Sequence, residues 1–217
     1  MIEAWAGQKS FQRKNSDDDP LNPPPSDRSS NPTVNWHKQK RSNDTHQSLT
    51  DPAARLYKKS SGSEAKLGYL GHVITENRNG LIVDTRLNVG HGDSGTQPAL
   101  EMAANKPESK RITMGADRGY DTPGFAEQSR ALGITPHVAQ KDTNRASSID
   151  GRTTCHEGYA VSQRKRKRVE EVFGWIKTVA LQRKTKFRGI DRVGWMFTFA
   201  AAAYNLVRMR NLETATA

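Results

Sequence analysis

The sequence predicts an α/β fold in which a mixed sheet is flanked by helices. Two β-rich runs joined by an Asn-Gly turn, a later alternation of short strands and helices, and two helical segments closing the chain lead to it. Ala65 to Thr75 and Leu81 to Leu87 are rich in apolar and β-branched residues, and Glu76-Asn77-Arg78-Asn79-Gly80 between them is a hairpin turn signal. Ser94 to Asn105 reads as a helix with Leu100, Ala103 and Ala104 on one side, stopped by Pro107. Arg111 to Ala116 alternates apolar and polar positions as a short strand running into Asp117. Thr122 then caps a helix that has Pro123 at its first position and ends at Gly133, and Ile134 to Ala139 is a further strand.

Residues 140–160 are polar and are expected to be irregular. Beyond them one long basic helix is expected from Val161 to about Leu181, with Val169, Phe173, Ile176 and Ala180 forming its apolar stripe. The last helix, Arg192 to Asn211, is apolar nearly all round in its first half, which predicts a buried core helix; its apolar run is too short for a membrane span. Residues 12–50 are poor in apolar side chains and contain Asp17-Asp18-Asp19 and Pro23-Pro24-Pro25. They bury too little surface to offset ordering entropy, so a long mobile loop or linker is expected, with Trp36 as one docking residue.

Composition narrows the function. With 34% hydrophobic and 26% charged residues the core is modest. Cys155 is the single cysteine, so there is no disulfide framework and no zinc-finger pattern. The first residues lack the features of a signal peptide, and a cytoplasmic protein without a membrane anchor is expected. The net charge of +11 is concentrated: residues 164–210 hold thirteen Lys and Arg against Glu170, Glu171 and Asp191. Such a patch is the footprint of a polyanion site, most often nucleic acid, although a solvated helix face has the same composition.

Two clusters can carry chemistry. Asp117 ends a short strand and opens Asp117-Arg118-Gly119-Tyr120-Asp121, where its carboxylate would project from a sheet edge; by itself such an aspartate is more often a turn former. In Arg164-Lys165-Arg166-Lys167-Arg168-Val169-Glu170-Glu171, continuing to Lys177, the four- and seven-residue spacings put Arg166, Glu170 and Lys177 on one helical face. Glu171 points elsewhere. An ordinary charged helix with local ion pairs explains that pattern equally well.

The run from Arg166 to Lys177 resembles the carboxy-terminal signature of bacterial insertion-sequence DDE transposases, in which Tyr, Arg, Glu and Lys recur at set spacings. Arg166, Glu170 and Lys177 match the last three, while Gln163 stands at the tyrosine position. The segment Ala116 to Asp121 resembles the one bearing the family's second catalytic aspartate. Ile2 to Phe11, Arg41 to His46, Arg55 to His72 and Arg192 to Arg210 are similar to the group related to insertion sequence five. The resemblance implies an RNase H-like fold, two Mg²⁺ ions and phosphoryl transfer on double-stranded DNA at the element ends. It makes Asp117 and Glu170 catalytic metal ligands, and Arg166, Lys177, Arg164 and Arg168 phosphate contacts.

By the same resemblance, residues 1–11 would be the remnant of the first catalytic strand, 12–52 a loop or linker, 53–212 the catalytic domain and 213–217 a tail. The family's first catalytic aspartate would fall before Ile2, and Glu3 is a poor substitute because strand alternation turns it away. The expectation is a truncated or split transposase, incomplete at its first strand, marginally stable and inactive alone, with itself as an oligomer or an upstream split polypeptide as partner. The alternatives are a non-catalytic nucleic-acid-binding remnant and an RNase H-like nuclease of another kind.

Overall fold

The computed structural model describes residues 1–14, 41–58, 62–90, 95–105, 112–141 and 146–216. The aspartate run at 17–19, the prolines at 23–25, Trp36, Ser94, Pro107 and Arg111 lie outside the described residues. The strands are β1 (Ile2–Glu3), β2 (Phe11–Arg13), β3 (His46–Ser48), β4 (Arg55–Lys58), β5 (Ala65–Thr75), β6 (Ile82–Val89), β7 (Ile112–Ala116) and β8 (Ile134–Val138). The helices are α1 (Gln97–Ala104), α2 (Pro123–Ala131), α3 (Gly151–Thr154), α4 (Glu157–Lys165), α5 (Arg168–Thr178) and α6 (Ile190–Thr216). The chain is therefore mixed α/β, consistent with an RNase H-like domain. In place of one mixed sheet, its described strands form three hydrogen-bonded sheets, divided between two compact units.

The first unit comprises Met1–Gly71, Leu87–Gly92 and Leu181–Met196. Here β5 pairs antiparallel with β1, Ile2 opposite Tyr69, and with β4, Leu56 opposite Leu67. Gly68 is required in β5, because a Cβ there would stand 2.5 Å from the Ile2 carbonyl oxygen. The core gathers Ala4, Ala6, Phe11, Ala54, Leu67, Tyr69 and Val193. Beside it the buried Asp51 carboxylate accepts from the Tyr69 hydroxyl, 2.8 Å from each oxygen, and from the Gly189 N–H at 3.1 Å. The expected loop over 12–52 is narrower than its composition suggests: β2 and β3 pair antiparallel at its two ends, with Phe11 opposite Ser48.

The second unit comprises His72–Arg86, Asp93–Ala180 and Phe197–Ala217. Its centre is a β–α–β unit in which α2 connects the parallel strands β7 and β8. Thr122 caps α2 by accepting from the Phe125 N–H at 3.3 Å, as the sequence predicts. Ala99, Leu100, Phe125, Ala126, Val138 and Ile149 form the core, and α4 packs on both strands. The hairpin turn is also as predicted, with Gly80 at φ 75°. Its carbonyls accept from arginine side chains: Asn77 and Arg78 from Arg168, and Asn79 from Arg208.

Four expectations are corrected. The irregular stretch at 140–160 holds α3 and the start of α4. The single helix over 161–181 is two, because Val169 and Glu170 bond back three residues, to Arg166 and Lys167, and tighten the chain into a turn. The buried stripe of α5 is Val172 and Ile176, with Val169 and Phe173 only half-buried. The last helix runs on to Thr216, through most of the expected tail, and it is not buried all round: Trp195 is 66% and Phe199 56% exposed. No helix of the described residues is long and apolar enough to cross a membrane.

Candidate active site

Asp117 follows the last residue of β7, where the strand ends in a 3₁₀ turn over Arg118–Tyr120. Its own carbonyl accepts the Tyr120 N–H at 2.9 Å, and this leaves its side chain 68% exposed at the strand's carboxyl end. Asp117 thus closes a turn and keeps its carboxylate exposed. Asp121, four positions on, is buried, and its oxygens accept the Lys141 N–H at 2.7 Å and the Ser148 N–H at 2.8 Å. Burial works to raise its pKa, but those N–H donors and the Ser147 hydroxyl hold it below the usual carboxylate range. Asp121 thereby ties down the loop that follows β8, whereas Asp117 faces solvent.

The second element of the site is the end of α4. Ser162 is buried and its hydroxyl lies 2.8 Å from His137 Nδ1 of β8, so this helix face is bonded to the sheet. Burial first, then the charge of His156, lowers the His137 pKa from its ordinary value. The end of α4 lies directly against β7 here: a Cβ on Gly115 would make ordinary van der Waals contact with the Arg166 Cβ and the Ser162 carbonyl oxygen, each at 3.5 Å. One turn beyond Ser162, Arg166 reaches across and makes an ion pair with Asp117. Its Nε also donates to Gln163 Oε1 at 2.9 Å, and Gln163 Nε2 donates to the His137 carbonyl at 2.6 Å. Arg166 and Asp117, from the two motifs singled out in the sequence, are brought together.

The other expected residues stand differently. Glu170 is exposed in the first turn of α5, beside Glu171, where a carboxylate is favoured by the helix dipole whatever else it does. It makes no salt bridge among the described residues, and neither does the half-buried Lys177 in the last turn or the exposed Arg164. The Arg168 guanidinium is engaged by the hairpin carbonyls, at 2.6 Å from that of Arg78. Sequence reading found neither this nor the bond from Gln163 to Arg166. The second was legible in principle, since residues three apart on a helix are neighbours.

The donors suit a hard divalent cation in kind, being carboxylate oxygens. Among the described residues no group of three His, Cys, Asp or Glu comes together, so they do not enclose a metal by themselves. Mg²⁺ is commonly held by one or two carboxylates, with substrate phosphate oxygens and waters completing its shell, and Asp117 presents an exposed carboxylate of that kind.

A family model described as the transposase DDE domain matches residues 33–206, most of the chain, including both motif clusters. The protein belongs to the DDE transposase domain family. No curated protein and no solved structure matches it. DDE transposase domains act in DNA transposition and recombination and generally use a divalent metal, and the family implies DNA as a partner class.

Proposed function

We propose that this chain is the catalytic domain of an insertion-sequence DDE transposase, cleaving and joining double-stranded DNA at the element ends by phosphoryl transfer. Asp117 and Glu170 are its catalytic carboxylates and would hold Mg²⁺. Arg164, Arg166, Arg168 and Lys177 bind backbone phosphate. The observation that carries this reading is the ion pair between Asp117 and Arg166: two motif residues far apart in sequence, in a chain of this family, meet at a strand end. When bound, Mg²⁺ supplies activation of the attacking oxygen and stabilisation of the leaving one.

The chain's own residues do the rest. An arginine fork matches phosphate geometry, so a DNA phosphate near the cut site competes with Asp117 for Arg166. The pair is partly wet, with side-chain exposures of 68% for Asp117 and 22% for Arg166. An ion pair so exposed contributes at most about 1 kcal/mol, so the exchange is cheap. Phosphate binding by Arg166 then leaves the Asp117 oxygens open to a cation.

The test is nicking of supercoiled plasmid by the full chain with Mg²⁺, alongside binding to a short duplex. Mg²⁺-dependent nicking that is lost in both Asp117→Ala and Glu170→Ala supports the proposal; nicking unchanged in both would sink it. A second reading, a nucleic-acid-binding protein without catalysis, is favoured by the lack of a three-carboxylate group among the described residues. It predicts duplex binding with no nicking, and binding that weakens on charge reversal at Arg164 and Arg166.

A further inference from the structure

The geometry points to Gln163 as the positioning residue of this site, a bridge that fixes the Arg166 guanidinium to the backbone of β8 and so aims it at Asp117 and at a DNA phosphate. The inference rests on the function proposed above for its consequence on DNA, but not for the bridge itself.

An arginine side chain carries several freely rotating bonds, and one ion pair at an exposed carboxylate leaves most of that freedom in place. Here the inner edge of the guanidinium is also held. Arg166 Nε donates to Gln163 Oε1 at 2.9 Å. Gln163 is itself oriented because its Nε2 donates to the His137 carbonyl at 2.6 Å. His137 in turn is only 5% exposed, with its ring 2.8 Å from the Ser162 hydroxyl. A continuous chain of bonds therefore runs from a buried strand residue to Nε, the guanidinium nitrogen that joins the side-chain stem. With Nε committed inward, the planar fork presents its terminal nitrogens outward, where Asp117 takes one of them.

The chemistry of glutamine is what the bridge needs. It must donate at one end, to a carbonyl, and accept at the other, from Nε–H. Leucine does neither. Glutamate accepts from Arg166 but has no proton for the His137 carbonyl near neutral pH. Asparagine has both groups on a shorter stem and cannot span both partners from the same backbone position.

The bridge is read first without DNA, from the ¹⁵N-coupled Arg166 Nε–H resonance of the full chain, assigned by its loss in Arg166→Lys. In the native chain this proton exchanges slowly with solvent; in Gln163→Leu and Gln163→Asn it exchanges at least tenfold faster, while the thermal midpoint moves little. Gln163→Glu keeps the slow exchange but loses the tie to the strand, seen as a narrower spread between the two terminal nitrogens. Unchanged exchange in Gln163→Leu overturns the inference, and so does an equal loss of protection across the backbone amides of α4, which marks Gln163 as merely a packing residue.

DNA gives the second readout. The dependence of log Kd on log salt for a short duplex should flatten by about one phosphate contact in Gln163→Leu, and the substitution should have no further effect in an Arg166→Lys background. A bridge present by exchange with an unaltered salt dependence would leave Gln163 positioning Arg166 and remove Arg166 from the DNA contacts, which is a failure of the proposed function alone. An altered salt dependence with unaltered exchange would be the reverse, and would remove the bridge.

Discussion

Asn205 of α6 holds both backbone groups of Ile82: its Oδ1 accepts the Ile82 N–H and its Nδ2 donates to the Ile82 carbonyl, each at 2.8 Å. A side-chain amide has the same donor and acceptor arrangement as a peptide, so Asn205 acts as a one-residue strand beside the start of β6. Replacing it with leucine removes both partners while keeping the size. Each backbone group left without a bond costs about 1–3 kcal/mol where water does not replace it. The expected loss of that order is checked by urea denaturation. Asn205→Asp, which keeps the acceptor and sets an oxygen against the Ile82 carbonyl, should be no better tolerated.

Asp117→Asn is expected to separate binding from chemistry. It releases Arg166 from its ion pair, so duplex affinity at low salt should rise, by up to about fivefold for an exposed pair worth up to about 1 kcal/mol, while any Mg²⁺-dependent nicking disappears. Affinity that falls with the substitution would mean that Arg166 does not face DNA.

The buried Asp51 and Tyr69 pair belongs to the fold of the first unit. Burial, followed by the hydrogen bond to Asp51, pushes the Tyr69 hydroxyl far above its ordinary pKa. A raised folded value means that this contribution to stability is complete below the unfolded pKa near 10 and is lost as alkali drives ionisation. Tyr69→Phe removes a bond to a charged group and should cost about 1.5–3 kcal/mol at neutral pH. It should also flatten the alkaline fall in stability, measured by denaturation at a series of pH values.

His72 shapes the acid side. Burial, assisted by the charge of Arg86, lowers its pKa from 6.5 to about 4. The unfolded chain therefore binds a proton that the folded chain refuses, and stability falls as pH drops from about 6.5 to about 4. One proton limits that slope to about 1.4 kcal/mol per pH unit. His72→Phe should flatten the profile in this window and leave it unchanged above pH 7; an identical acid limb would show that His72 is not its source.

Much of this was readable from residue type. The β5–β6 turn was marked by Asn79-Gly80, α2 by Thr122, Pro123 and Gly133, and β7 by an alternation ending at Asp117. Each is a local signal, and each element lies where the signal put it. The start of helix α4 was missed because His156 before it offers no side-chain cap bond and the residues preceding it are polar. The division between α4 and α5 carries no residue signal at all: Arg166 and Lys167 keep right-handed helical dihedrals, and only the hydrogen-bond spacing tightens. At the site, Asp117 and Arg166 were legible as motif members, but their meeting depends on α4 packing against β7 and β8, with Ser162 bonded to His137. That is a property of packing, as is the engagement of Arg168 by a turn ninety residues away in sequence.

Pro136 sits in the middle of β8, opposite Met114. The Ala139 N–H bonds to the Ala116 carbonyl, so by alternation the odd-numbered residues of β8 turn their backbone groups to β7 and Pro136 turns its nitrogen to the outer edge. That edge lacks a donor at its centre, and the Val138 carbonyl beside it is occupied by the Tyr159 hydroxyl at 2.9 Å. A strand from another molecule would find no complete row of partners there. A protein with a small core and exposed aromatic residues on its last helix thus carries, in one imino acid, a barrier to fibril-like growth at this edge.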